Sequence, residues 1–423
     1  MYLEAFFTSV TYLASLAAGR ALSSTSQHVL SNGGNSSPGR SQSPMSVFEH
    51  SKSPGSIARV GFVALGDSYS AGIGTGVDGQ EDDCRHGLHA YPQLIASDLA
   101  KNHGGPNMTV FQFLSCTGAE TQEVLSGGDG SQIDTFNASL PTDFALLSIG
   151  GNDLGFFDVM NACVFRFYNF YSGTCETALE NSRFQIESEE FENRLQIIIL
   201  ELLDKVHWEK KPGFSITVTG YARFFNEVTD ACDEMSFGVW WGGPKLTKEL
   251  RLNMNALVLA VNAKIRKTIN YVNSRFTQNK VLFVDYDMEF DGHRFCEENV
   301  TEPDYGRADT WFFLVGGPDN ARNGTLQMQD WEVETLAPSS ALVDPSSCLE
   351  SAQISGDWGE LALCYMALTK QHDPELRSAR EVIVAPNSMW YVPTYYGKTF
   401  HPRSMGHATI RDKIYETWRE SED

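Results

Sequence analysis

Positive charge is scarce in this chain: 32 Lys and Arg stand against 54 Asp and Glu, a formal charge of −22. A surface this acidic repels phosphate backbones, and the densest basic run, Lys205 to Lys211, is short and interrupted by Glu209. No nucleic-acid partner is expected. Long apolar runs are missing too; nothing reaches the roughly 18 continuous residues that a spanning helix requires. No stable membrane insertion is therefore expected, and the chain is read as a monomer. It has no C-x-x-C pair, no ligand cluster with metal spacing and no internal repeat, so neither a metal nor another cofactor is expected.

What the chain does have begins at its start. Phe6 to Ala18 is an apolar run too short to cross a bilayer, with small residues following at Gly19 and Ala21. That is the form of a signal-peptide core, although Glu4 precedes it and no Lys or Arg does. Residues 1–21 are read as a signal peptide. Residues 22–57, rich in Ser, Gly, Asn and Pro, are read as a disordered leader, because they offer too few apolar anchors to offset ordering. Eight cysteines (Cys84, Cys116, Cys163, Cys175, Cys232, Cys296, Cys348 and Cys364) fit disulfides of a secreted, extracellular protein, and their spacing leaves the pairing open. Five N-x-S/T sequons, at Asn35, Asn107, Asn137, Asn299 and Asn323, are compatible with a glycoprotein.

From Arg59 the texture becomes that of a folded domain. Apolar segments at 59–65, 109–114, 144–149, 215–219 and 280–284 read as strands, the third continuously apolar as in a strand covered on both faces. Helical patterns cover 91–100, 187–208, 245–276 and 404–418; the second has apolar residues at 191, 195, 198, 199, 202, 203 and 206. Strands alternating with helices predict an α/β fold, a mostly parallel sheet with helices on both faces. One domain over 58–420 accommodates this, with an insertion within the less regular 291–380. In such sheets, functional residues gather beyond the carboxyl ends of the strands. Here those places carry GDSYSAG, SCTG and GGND.

Ser68 ends the first strand in Gly66-Asp67-Ser68, where small residues allow close backbone approach. Alone it could equally be an ordinary helix-capping serine. A serine hydroxyl needs a base, and His401, in Phe400-His401-Pro402, sits just before the last helix in a position suited to one. His86, His89, His103 and His293 are alternative bases in loops, while His407, inside the predicted helix, reads as structural. Acyl transfer also needs donors for an oxyanion. The Asn152 amide, the Gly118 N–H and the Ser68 N–H are the candidates, although Gly-Asn and Gly-Asp also form ordinary turns.

These four blocks in this order, around Ser68, Gly118, Asn152 and His401, resemble the SGNH, or GDSL-type, hydrolase family over about residues 58–418. The resemblance implies a three-layer α/β/α sandwich and hydrolysis of esters. It makes Ser68 the nucleophile, Gly118 and Asn152 the rest of the oxyanion hole, His401 the base, and Asp153 a support for Asn152. One position departs from the family pattern: Lys398 stands where an Asp three residues before the histidine is usual. Lysine cannot accept a hydrogen bond. The backbone carbonyl of Lys398 is therefore expected to orient His401, giving a Ser-His dyad, with Asp344 or Asp357 as alternative distant acids. The resemblance is strongest to the secreted, disulfide-containing dyad branch, similar to esterases and lipases of filamentous actinomycetes, and a fungal member is expected. By that analogy the cysteines pair 84–116, 163–175 and 232–296, leaving 348–364.

The substrate is less legible. Aromatic segments Phe156–Phe157, Phe165 to Tyr171, Val239–Trp241 and Trp311–Leu314 could line a lipid groove or belong to the core. A carboxylic esterase, with lipid esters among its candidate substrates, is the leading expectation. A carbohydrate acetyl esterase and an inactive binding module of the same fold are the alternatives.

Overall fold

A computed structural model describes residues 59–76, 81–128, 130–165, 174–237, 244–320, 326–327 and 394–421. The expected signal peptide and leader, Asn35, Asn323, Cys348, Cys364, Asp344 and Asp357 lie outside them.

Five parallel strands form the centre: β1 (Val60–Gly66), β2 (Thr109–Phe113), β3 (Phe144–Ser148), β4 (Ser215–Thr219) and β5 (Val281–Val284), in the order β2-β1-β3-β4-β5. β1 and β3 are buried along their whole length, as their unbroken apolar runs require of central strands. Phe62 joins the three strands on one side of the order by stacking on both Phe111 and Phe144, at 4.5 and 4.7 Å. The register pairs Gly66 with Ser148, so the two strands end level and their loops emerge side by side.

The helices are α1 (Ser68–Ala71), α2 (Tyr91–Asn102), α3 (Cys175–Glu187), α4 (Glu189–Val206), α5 (Lys248–Asn273) and α6 (Ser404–Glu420). Helix α2 packs on α6, while α3 and α4 pack on α5, forming the outer layers of a three-layer α/β/α sandwich. The apolar stripe read from the sequence is the buried face of α4: Phe191, Leu195, Ile198, Ile199, Leu202, Leu203 and Val206. Its first turn carries Glu189, Glu190 and Glu192 and its last Lys205, which complements the helix dipole. Trp418 of α6 is fully buried and donates its indole N–H to Thr217 Oγ1 of β4 at 2.8 Å, fixing the last helix to the sheet.

One feature departs from the sequence reading. Helix α3 is absent from it, because its buried face (Ala178, Leu179, Ser182, Ile186) includes a serine and its Phe184 points to solvent. Ahead of the undescribed residues in 291–380, Phe312 forms an antiparallel bridge with Pro402 and is fully buried. Disulfides join Cys84 to Cys116, Cys163 to Cys175 and Cys232 to Cys296. Among the described residues no helix is long and apolar enough to cross a membrane, and no His, Cys, Asp and Glu group forms a metal-binding cluster. Asn107, Asn137 and Asn299 are exposed.

Candidate active site

β1 ends at Gly66 with φ +123°, where a Cβ would lie 1.9 Å from the Ser148 carbonyl oxygen; only glycine can make this exit. The Asp67 N–H then donates to that same oxygen at 2.8 Å. The Asp67 side chain accepts from the Tyr69 N–H at 3.0 Å and so caps α1, whose first residue is Ser68.

His401 reaches this turn from the far end of the chain on a loop held by backbone bonds to 311–313. Phe400 N–H donates to Phe313 O, Phe313 N–H to His401 O, and Arg403 N–H to Trp311 O, at 2.9, 2.9 and 2.7 Å. Phe400 adopts φ +64°, a costly conformation for a bulky residue. Its ring is buried among Phe224, Phe225, Phe237 and Phe295, which holds it there. The result brings His401 Nε2 to 2.6 Å from Ser68 Oγ. On the other side of the ring Nδ1 lies 3.1 Å from the Thr399 carbonyl oxygen. A carbonyl can only accept, so the proton sits on Nδ1, and Nε2 presents its lone pair to the serine hydroxyl.

The orienting carbonyl at hydrogen-bond distance is thus that of Thr399, one residue later than expected. The Lys398 carbonyl also acts on the ring and accepts the His401 backbone N–H at 2.9 Å. The Lys398 ammonium stands over the Phe313 ring, 4.8 Å from its centroid. Burial lowers the imidazole pKa to about 4, opposed in part by the two carbonyls, so the ring is neutral at ordinary pH.

Because β2, β1 and β3 are neighbours, the loops after them meet. Cys116 N–H donates to Gly66 O at 2.9 Å, bringing Gly118, at φ +87°, alongside the Ser68 turn. The Asn152 amide donates one hydrogen to Ala119 O at 2.9 Å, which ties the third loop to the second and leaves its other hydrogen available. Asp153 accepts from the Thr121 N–H at 3.0 Å and from the Thr121 hydroxyl, so it anchors the loop behind Asn152. Burial raises its pKa.

Of the alternative bases, His103 is the C-cap residue of α2, where its backbone N–H donates to Leu99 O, and the others are engaged elsewhere. His86 bonds Asp82 and Ser115 O, His89 bonds Ser404 Oγ, and His293 stacks on Trp311. His407 is fully buried in α6 and accepts from the Tyr91 N–H at 3.3 Å. Among the described aromatic segments, Phe156, Phe312, Phe313 and Leu314 belong to the core. Residues 166–173 and 239–241 lie outside the described residues.

Sequence reasoning missed two tyrosines. Tyr69 donates its hydroxyl to Phe400 O at 2.7 Å, linking the Ser68 turn to the His401 loop. Tyr221, just beyond β4, donates to Asp67 Oδ2 at 2.7 Å and accepts from the Gly151 N–H at 3.0 Å. Its place past a strand's carboxyl end was the one available signal.

Residues 64–310, more than half the chain, match the model of the GDSL-like lipase/acylhydrolase family; the match includes Ser68, Gly118 and Asn152 and stops before His401. A lipase of Streptomyces rimosus is 29% identical over 241 residues, covering 57% of this chain and 75% of that protein. Lipase 1 of Streptomyces coelicolor is 32% identical over 166 residues, 39% of this chain and 53% of its own length. The structure of phospholipase A1 from Streptomyces albidoflavus has a TM-score of 0.43 and 29% identity, covering 61% of this chain and 88% of that one. These relatives are bacterial, which overturns the expectation of a fungal member. The chain belongs to the GDSL-like lipase/acylhydrolase family and is a carboxylic ester hydrolase.

Proposed function

We propose that this is a secreted serine esterase that cleaves acyl esters of lipids by two-step acyl transfer through Ser68 and His401. The 2.6 Å contact between Ser68 Oγ and the unprotonated Nε2 of His401 carries the reading. His401 takes the hydroxyl proton as Ser68 attacks the ester carbonyl. The N–H groups of Ser68 and Gly118 and the Asn152 amide receive the oxyanion, His401 returns the proton to the departing alcohol, and water repeats the sequence to release the acid. Thr399 O stabilises the imidazolium without a carboxylate. Three disulfides place the folded enzyme in an oxidising compartment, in keeping with a signal peptide over residues 1–21. That the Streptomyces proteins matching this chain are named lipases supports acyl lipids, rather than acetylated sugars, as its substrate.

A fluorophosphonate should label Ser68 in the wild type and fail to label Ser68→Ala or His401→Ala, and both variants should lose at least about 10³-fold in kcat/KM. A Ser68→Ala protein that still hydrolyses esters refutes the mechanism. On a p-nitrophenyl ester series, kcat/KM should rise with acyl length. A maximum at acetate, shared with acetylated sugars, assigns the site to carbohydrate esters instead.

A further inference from the structure

The loop carrying Asn152 opens with two glycines, Gly150 and Gly151, the first at φ +123°. Two residues without Cβ leave the backbone unusually free, yet an oxyanion donor must be held to a fraction of an ångström. The carbonyls of this loop are taken up by the turn that follows: Gly150 O accepts from Leu154 N–H, Gly151 O from Phe156 N–H and Asn152 O from Gly155 N–H. The Gly151 N–H points the other way, to the hydroxyl of Tyr221.

That hydroxyl is in turn directed by Asp67, the residue before the nucleophile. Tyr221 is buried, and its single proton goes to Asp67 Oδ2 at 2.7 Å, so its oxygen is fixed as the acceptor for Gly151 at 3.0 Å. Tyr221 also meets the ring of Tyr69 edge-on at 5.0 Å, and Tyr69 stands 5.0 Å from the His401 ring and bonds Phe400 O. The backbone of Tyr221 is itself clamped by Asn262, which accepts from its N–H at 2.9 Å and donates to its carbonyl at 2.7 Å. One side chain, rigidly mounted beyond β4, therefore touches the supports of all three parts of the site.

We infer that Tyr221 is a positioning residue for the oxyanion hole, its hydroxyl coupling the Ser68 turn, through Asp67, to the peptide that aims Asn152. The inference rests on the acyl-enzyme reading above. Burial pushes the Asp67 carboxyl up to about 7, and the hydroxyl of Tyr221 is the strongest hydrogen bond opposing that rise. The coupling is thus made to a side chain whose charge burial disfavours.

A double-mutant cycle with Asn152 tests it. Tyr221→Phe keeps the ring and removes only the hydroxyl; kcat should fall about 10- to 100-fold with KM within about twofold, since a misplaced donor weakens the transition state more than the ground state. In the Asn152→Ala background the same exchange should cost less than about threefold, because the group it aims is gone. Asp67→Asn is the second variant. It offers one oxygen to two donors, the Tyr69 N–H and the Tyr221 hydroxyl, and should show the same dependence on Asn152 if Tyr221→Phe does not fold. Wild-type kcat in Tyr221→Phe, or an equal loss in both backgrounds, overturns the proposal. Ser68→Ala, measured alongside, separates the two readings: if it is inactive while Tyr221→Phe is normal, only the positioning role fails, and if it is active, the acyl-enzyme reading fails first.

Discussion

The His401 imidazole is buried and, among the described residues, bonds no carboxylate, so its pKa of about 4 leaves it neutral over most of the range in which an ester hydrolase operates. A general base must be unprotonated in the free enzyme, and the acid limb of kcat/KM reports that condition. The limb should therefore fall well below pH 6.5, toward 4, and a pH–rate series on a soluble ester measures it; a limb at or above 6.5 contradicts the burial argument. Asp67 titrates near 7, and any inflection there that disappears in Asp67→Asn belongs to that carboxyl. The linkage sign is also defined. An imidazole protonated in the unfolded chain at about 6.5 but only near 4 in the fold costs stability as pH falls between those values.

Helix α6 shows how one element is placed for the site. Its N-cap is Arg403, whose side chain makes no cap bond, so the first amides must be satisfied from outside. Asp319 accepts from Ser404 N–H and Oγ at 2.9 and 2.5 Å, and Asn320 Oδ1 accepts from Met405 N–H at 3.0 Å. Asp319 also accepts from Gly76 N–H at 2.9 Å, in the turn that follows α1. One carboxylate thus joins the segment after Ser68 to the helix after His401. Asp319→Ala should destabilise the fold by about 1–3 kcal/mol in denaturant unfolding and lower kcat, as a buried charge-assisted cap is lost. An unchanged midpoint would falsify that role. Burial raises its pKa, but bonds from His89, Ser404 and Gly76 outweigh this and leave it below the ordinary 3.8. Its contribution is complete above that value and fades as pH falls through the folded one.

At the scale of the molecule, three disulfides among the described residues brace the sheet's functional edge and its flanks. Cys84–Cys116 closes the loop bearing Gly118, and Cys232–Cys296 joins the segments after β4 and β5 across 64 residues. Replacing the latter pair by alanines should lower unfolding free energy by about 2–5 kcal/mol, the usual cost of a long-loop disulfide. Equilibrium unfolding of the variant beside the wild type checks it; an unchanged midpoint shows that the disulfide adds no stability.

The sheet and most of its helices were legible in the linear chain because local rules write them. Apolar runs specify buried strands, a 3.6-residue stripe specifies α4, and glycine marks the left-handed exit at Gly66. Family blocks carried the rest of that reading. Helix α3 escaped because its buried face is weakly apolar. Contacts between distant residues are another matter: they depend on where separate loops stop in space. The Thr399 carbonyl meets Nδ1 of His401 in a loop whose Phe400, at positive φ, is held by four aromatic neighbours from elsewhere in the chain. Tyr221 bonding Asp67 and Gly151, and Asp319 capping α6, are likewise decided only when the strands align and bring their ends level. Periodicity encodes which face of an element is buried, whereas the partner a polar group finds across the sheet edge is a property of the folded whole.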